Sequence, residues 1–264
     1  MLSLDAVLVG LVWQEIFFQH LGQQGHWKYR LILGTAIWLA YMADRLFDNL
    51  ALDSKKPTTR RHAFIRNNWK TILTVWLIVF TSILILSIFT LSKAEFIGGL
   101  WITLLINLYF LILKLSKRIP ILGSLKEIFT GTLFALGVSY FPIFLLKDVA
   151  YETVGTQITF GLLCFANVIL ISHWEHTIDK HQQEGKLSQR RFDRDVLLKV
   201  LLTMLGCYGI YLVTMANELF SWAVLLSSMG LSILYLEANN RGYYNLKFLI
   251  DVPLILPCLL FFIF

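Results

Sequence analysis

From Thr71 to Thr90 the chain reads TILTVWLIVFTSILILSIFT, twenty residues without a single charge. About 20 apolar residues in a helix match the roughly 30 Å hydrocarbon core of a bilayer, so such a run reads as a transmembrane helix. Nine segments of this kind are predicted, at 4–22, 29–52, 69–91, 95–114, 122–146, 156–178, 196–216, 219–237 and 247–264. Hydrophobic residues form 57% of the 264 and charged ones 15%, where a soluble domain carries roughly 25% charged. In water such a chain would expose apolar patches that soluble monomers avoid. Aromatic residues at 14% exclude disorder. The runs are continuous, whereas the strands of a membrane barrel alternate apolar and polar residues. Cys164, Cys207 and Cys258 all lie inside apolar runs, which excludes a disulfide scaffold. The start, Met1-Leu2-Ser3-Leu4-Asp5, has neither a basic region nor a small-residue cleavage site, so helix 1 is expected to stay in the mature protein. The expected fold is one all-α polytopic membrane domain over 1–264, with kinks at Pro142, Pro253 and Pro257.

Orientation follows from the basic residues. The loops after predicted helices 2, 4, 6 and 8 hold 16 Lys and Arg, from Lys55 and Lys56 through Arg241 and Lys247. The other four loops share Lys28, Arg30, Lys93 and Lys147. By the positive-inside rule the N-terminus is cytoplasmic and the C-terminus lies on the opposite side. These bases are spread over short juxtamembrane loops among acids, which argues against nucleic acid as a partner.

Ionisable residues at the cytoplasmic ends of helices 2 and 6 carry the chemistry. Asp44 and Asp48 are spaced i, i+4 and share a helix face, and Glu175 and Asp179 repeat the spacing, with Gln183 continuing the row. One such pair often only closes a helix end against a neighbouring Arg. Two pairs on same-side helices, each followed by a basic loop, point to a shared acidic site for Mg²⁺, which binds through a few carboxylates and substrate phosphates. Arg and Lys nearby suit the remaining phosphate oxygens. Apolar helices below, with Trp38, Phe134 and Phe165, suit a hydrocarbon tail. A prenyl diphosphate matches both halves.

These features resemble the UbiA superfamily of intramembrane prenyltransferases, which have nine helices and two aspartate-rich motifs on the cytoplasmic side. In AYMADRLFD, Asp44, Arg45 and Asp48 stand where the family has D-R-x-x-D, and PTTRRH matches the following loop at Pro57, Thr58, Arg60, Arg61 and His62. Ala40 and Tyr41 replace the leading Asn-Asp. Asp179 matches the first acid of the second motif, Gln183 replaces the second with Glu184 adjacent, and Glu175 stands one turn upstream. The stretch YFLILKLSKRIPILGSLKEIFTG resembles the family's Tyr-x-x-x-Lys-x-x-x-Arg segment. The resemblance implies a bundle with a cavity opening near the cytoplasmic face and a Mg²⁺ site of Asp44, Asp48, Glu175 and Asp179. It further implies diphosphate contacts from Arg45, Arg61, Tyr109, Lys114, Lys117 and Arg118, with Lys126 and Glu127 pairing or facing the cavity. Trp38, Tyr41, Phe134, Tyr140, Asn167 and Trp174 are the cavity candidates.

The reaction so implied is ionisation of an allylic diphosphate, with the prenyl cation shielded from water and stabilised by aromatic faces. Transfer to an aromatic or lipid acceptor is the first expectation, with membrane lipid as surroundings. Cyclisation without an acceptor, as in UbiA-type terpene cyclases, is the alternative, and a non-catalytic isoprenoid-binding protein the third. His173, His176 and His181 cluster near the second motif, but His173 and Asp179 are six apart on different helix faces and His176 faces away from the Glu175 row, which disfavours zinc. His62 or His176 is a candidate proton acceptor. Glu15 and His20 are expected to pair between helices. No P-loop, GxGxxG, HExxH or GxSxG pattern occurs, and acids gathered at one face argue against a midplane transport site.

Overall fold

The computed structural model describes residues 4–51, 67–116, 126–146, 148, 150–180, 188–241 and 249–264; at 48–51, 110, 112–116, 126, 175–180, 188–194 and 238–241 it describes the backbone alone. Among the described residues every regular element is helical: α1 (Leu4–His20), α2 (Trp27–Ala51), α3 (Trp69–Thr90), α4 (Lys93–Ser116), α5 (Lys126–Phe144), α6 (Tyr151–Lys180), α7 (Ser188–Ala216), α8 (Leu219–Arg241) and α9 (Val252–Ile255), the last continued by a 3₁₀-helix, Leu256–Phe262. Five helical stretches are long and apolar enough to cross a membrane, in α3, α5, α6, α7 and α8. Of the others, α1 is 17 residues long, and α2 carries Lys28, Arg30, Asp44 and Arg45.

Two of the described links between helices are tight turns. α1 stops at a Schellman turn: Gly22 takes φ +62°, its N–H reaches Gln19 O at 3.1 Å, and Gln23 N–H reaches Phe18 O at 2.8 Å. Glycine adopts that conformation without a Cβ penalty. Asn217, at φ 26°, makes the tight α7–α8 link and accepts from Trp222 Nε1 at 2.8 Å.

The core is built on α1. Trp13, Gln14, Ile16, Phe17 and Phe18 are fully buried, and α1 packs against α2, α5, α8 and α9. Trp13 stacks on Phe160 with centroids 4.4 Å apart, while Phe17 meets Phe160 and Phe220 at 5.7 and 5.9 Å. α5 and α6 cross closely because Gly131 has no side chain; a Cβ there would sit 2.9 Å from the Phe165 backbone nitrogen. By contrast α3 buries only Ser87, and its apolar surface faces outward, as a lipid-facing helix requires.

Where α1 ends, polar groups clamp four helices together. Tyr29 donates to Glu95 Oε1 at 2.5 Å, and Glu95 also caps α4, accepting from Ser92 N–H at 2.6 Å while Ser92 Oγ accepts from Glu95 N–H at 3.3 Å. This is a capping box. Lys28 donates to Thr90 O at 3.1 Å and Tyr140 to the Glu95 carbonyl at 2.7 Å. Glu15 pairs with Arg30 at 2.7 Å and His20 with Glu218 at 3.0 Å, the interhelical roles expected of both.

The last segment differs from expectation. In place of one helix over 247–264, Val252–Phe262 spans roughly 20 Å at ordinary helical rises, short of the roughly 30 Å bilayer core. Pro253 and Pro257 open their elements instead of kinking a helix, and Pro142 falls in the last turn of α5. Pro257 has no N–H, so neither Pro253 O nor Leu254 O finds its usual backbone donor there. Ser227 Oγ supplies the first at 3.0 Å and Trp13 Nε1 the second at 2.9 Å. Ser227→Ala should therefore lower stability by about 1 kcal/mol. Trp13→Phe should cost more because packing is lost too, and thermal unfolding in detergent measures both.

Candidate functional site

Contacts along the bundle put the functional candidates at the end where α1 begins, here the acid end. α2 runs from the clamp at Tyr29 to Tyr41, whose phenol is in electrostatic range of Asp5, Asp44, Asp251 and Cys164. α6 passes Trp13 and Phe17 at Phe160 and reaches Asn167, which donates from Nδ2 to Asp251 Oδ1 at 2.8 Å. Going on, Ser172 donates to Glu127 Oε1 of α5 at 3.0 Å. Tyr109 of α4 bonds Thr130 of α5 at 2.7 Å. The start of α7 joins the same end: Asp195 accepts from Tyr235 of α8 and pairs with Lys199 at 2.7 Å, with the buried His173 within electrostatic range. The ends of α2 and α6, which carry the backbone of Asp48, Glu175 and Asp179, thus lie at one end of the bundle.

The individual candidates fare as follows. Asp44 and Arg45 are half-buried on α2 and both are engaged in interactions. Asp48, Lys114, Lys126, Glu175, His176 and Asp179 have described backbone only, while Arg61, His62, Lys117, Arg118, His181, Gln183 and Glu184 lie outside the described residues. Trp38 is half-buried. Phe134 sits 6.4 Å from Phe160 in the aromatic core, and Trp174 is buried at the same core's edge. Tyr140 belongs to the clamp at the opposite end, stacked near Phe141 and Phe144. Glu127 bonds Ser172 of α6, rather than serving only its neighbour Lys126.

Two residues singled out by no motif stand at the centre. Asp251 is partly buried between Asn167 and Asp5, and the Asp5 and Asp251 carboxyls lie within hydrogen-bonding reach of each other. A signal for Asp251 was present: a lone acid in the apolar stretch FLIDVPLIL, and ionisable residues inside membrane segments are functional candidates by default. Asp5 had no such mark. Among the described residues no group of three or more His, Cys, Asp and Glu side chains is arranged to hold a metal ion.

In comparisons with known proteins, the chain matches no family model, no curated protein and no solved structure. Function therefore rests on the acid end itself. The convergence has a direct check: with the three native cysteines replaced by serine, Asp5→Cys and Asp251→Cys should join through a short bis-thiol reagent in membranes. Asp5→Cys with Glu218→Cys, whose partner His20 ends α1 at the clamp, should not, as read by the mass of a proteolytic cross-linked peptide.

Proposed function

We propose that the chain is a Mg²⁺-dependent intramembrane enzyme of the UbiA type that ionises an allylic polyprenyl diphosphate and transfers the prenyl group to an acceptor. The bundle has its acid end in the cytoplasm, the N-terminus there, and nine membrane elements, the last rising toward the opposite side. One observation carries this reading: both acid-bearing helix ends, of α2 and α6, share the end of the bundle to which the four basic loops connect. Neither motif alone would require that.

The donors at this end are carboxylate oxygens, hard ligands that fit Mg²⁺. Asp44, Asp48, Glu175 and Asp179 would hold it, and bound Mg²⁺ neutralises charge developing on a leaving diphosphate. Arg45, Arg61, Lys114, Lys117 and Arg118 take up the remaining phosphate oxygens, and Tyr109 adds a hydroxyl from α4. As the allylic C–O bond breaks, its electron pair leaves with the diphosphate and an allylic cation remains. The apolar helix walls exclude water from it. Tyr41, Trp38, Phe134 and Trp174 offer ring faces at this half of the bundle, each worth about 0.5–2 kcal/mol to a cation. Tyr140 drops out of that role, because its hydroxyl is committed to the clamp.

Purified protein with Mg²⁺ should consume one of the C10, C15 or C20 diphosphates, and Asp44→Ala with Asp179→Ala should lower the rate at least about 100-fold. Mass spectrometry reads the product. A prenylated compound formed only when lipid extract is present supports transfer, and a hydrocarbon or alcohol without extract supports cyclisation instead. Consumption that survives the double substitution, or no consumption by the wild type, overturns the assignment.

A further inference from the structure

Asp5, Asp251 and Asn167 come from α1, from the residues leading into α9, and from the middle of α6, and they meet beneath the acid end. Their exposure is graded. Asp5 is open to the surroundings, Asp251 is half-buried, and Asn167 is 6% exposed. Exposure thus falls from Asp5 through Asp251 to the Asn167 amide. Two carboxylates within hydrogen-bonding reach in a low-dielectric site require either a shared proton or a cation. Among the described residues no Lys or Arg is paired with either acid.

The Asn167 amide separates these solutions. Its Nδ2 donates to Asp251, but its Oδ1 is buried with no hydrogen-bond partner. A proton shared by the two acids does not reach that oxygen and leaves it to a separate water. A single cation, ligated directly or through one of its waters, would serve both carboxylates and the amide oxygen at once. Buried polar atoms in native proteins are matched almost without exception, by protein, water or ion. Cys164 lies near Asp251, yet no three-membered group of acids, thiols and imidazoles forms there, so the donor set is all oxygen. Two carboxylates balance a divalent charge, and Mg²⁺ and Ca²⁺ complete their shells with water.

We propose that Asp5, Asp251 and Asn167 form a binding site for a hard divalent cation of the Mg²⁺ or Ca²⁺ class, separate from the four carboxylates assigned to the diphosphate. It ties the start of α1 to the last element across α6.

The test uses the full chain in lipid nanodiscs, stripped with chelator and titrated with Mn²⁺ as a paramagnetic probe. A protein carrying Asp44→Ala, Asp48→Ala, Glu175→Ala and Asp179→Ala should still bind one Mn²⁺ per chain, displaced by Mg²⁺ or Ca²⁺. Adding Asp251→Asn should weaken that binding at least tenfold, and Asn167→Leu, which keeps both acids, several-fold. The melting temperature should rise with Mg²⁺ and lose that rise with Asp251→Asn. Where Asp251→Asn does not fold, Asp5→Asn at the exposed end is read in the same way. No Mn²⁺ bound to the four-alanine protein, or undiminished binding by Asp251→Asn, overturns the proposal. So does an infrared band of a protonated carboxyl that vanishes in Asp251→Asn and ignores Mg²⁺, which assigns a shared proton. No prenyl diphosphate is present, so the result stands apart from the reaction proposed above.

Discussion

In a bilayer the backbone must satisfy its own hydrogen bonds, because lipid offers none. Helices meet that demand within each segment, and what then distinguishes one helical bundle from another is where its polar side chains and irregular backbone groups find partners. Here the described ion pairs and close acid contacts gather at the two ends, and the middle is held by packing and a few neutral hydrogen bonds. Trp13, Phe17, Phe160 and Phe220 form an aromatic knot around α1, and Gly131 lets α5 and α6 approach at backbone distance. Lipid tails are as apolar as these side chains, so close packing and a few hydrogen bonds must supply the association that water supplies to a soluble core.

The two ends differ in kind. At the clamp, acids meet bases and hydroxyls meet carboxylates: the Glu95 carboxylate accepts from the Tyr29 hydroxyl and the Ser92 N–H, and Glu15, Arg30, His20 and Glu218 are paired. Such a closed network fixes α2, α4 and α5 relative to one another. At the acid end like charges are brought together, Asp5 against Asp251 with Asp44 near Tyr41. Chains break the local rules of pairing mainly where function compensates for the loss. That contrast is the physical basis for proposing a site at the acid end, where Asp195 with Lys199 is nonetheless an ordinary ion pair.

Much of this was legible in the sequence. Eight of the apolar segments became helices α1 to α8, because a long and mostly apolar run leaves the backbone little choice in lipid. Their edges were less legible: α6 begins at Tyr151 and not at 156, and α7 extends back through SQRRFDRD, whose polar residues favour helix but do not register as membrane span. The i, i+4 acid pairs fall, as backbone positions, on the ends of α2 and α6. Tyr140 was misplaced because ring content alone does not tell one end of a helix from the other, and its hydroxyl partner, the Glu95 carbonyl, lies 45 residues away in sequence. Asp251 escaped notice for the same reason, since its partner Asn167 is 84 residues distant.

The position of Asp251 depends in turn on a backbone defect. Pro257 brings no N–H to the carbonyls of Pro253 and Leu254, and a segment with unmatched carbonyls has no stable place in lipid. Ser227 and Trp13 take up those carbonyls, binding the segment to α8 and α1 at fixed depth. Asp251 stands two residues before the first of them. Its carboxylate is therefore held against Asn167 and Asp5 by hydrogen bonds made deeper in the bundle, to residues that carry no charge. A longer, regular ninth helix would have matched its own carbonyls and been free to slide along its axis. The short, proline-broken one is pinned, and the acid at its start is pinned with it.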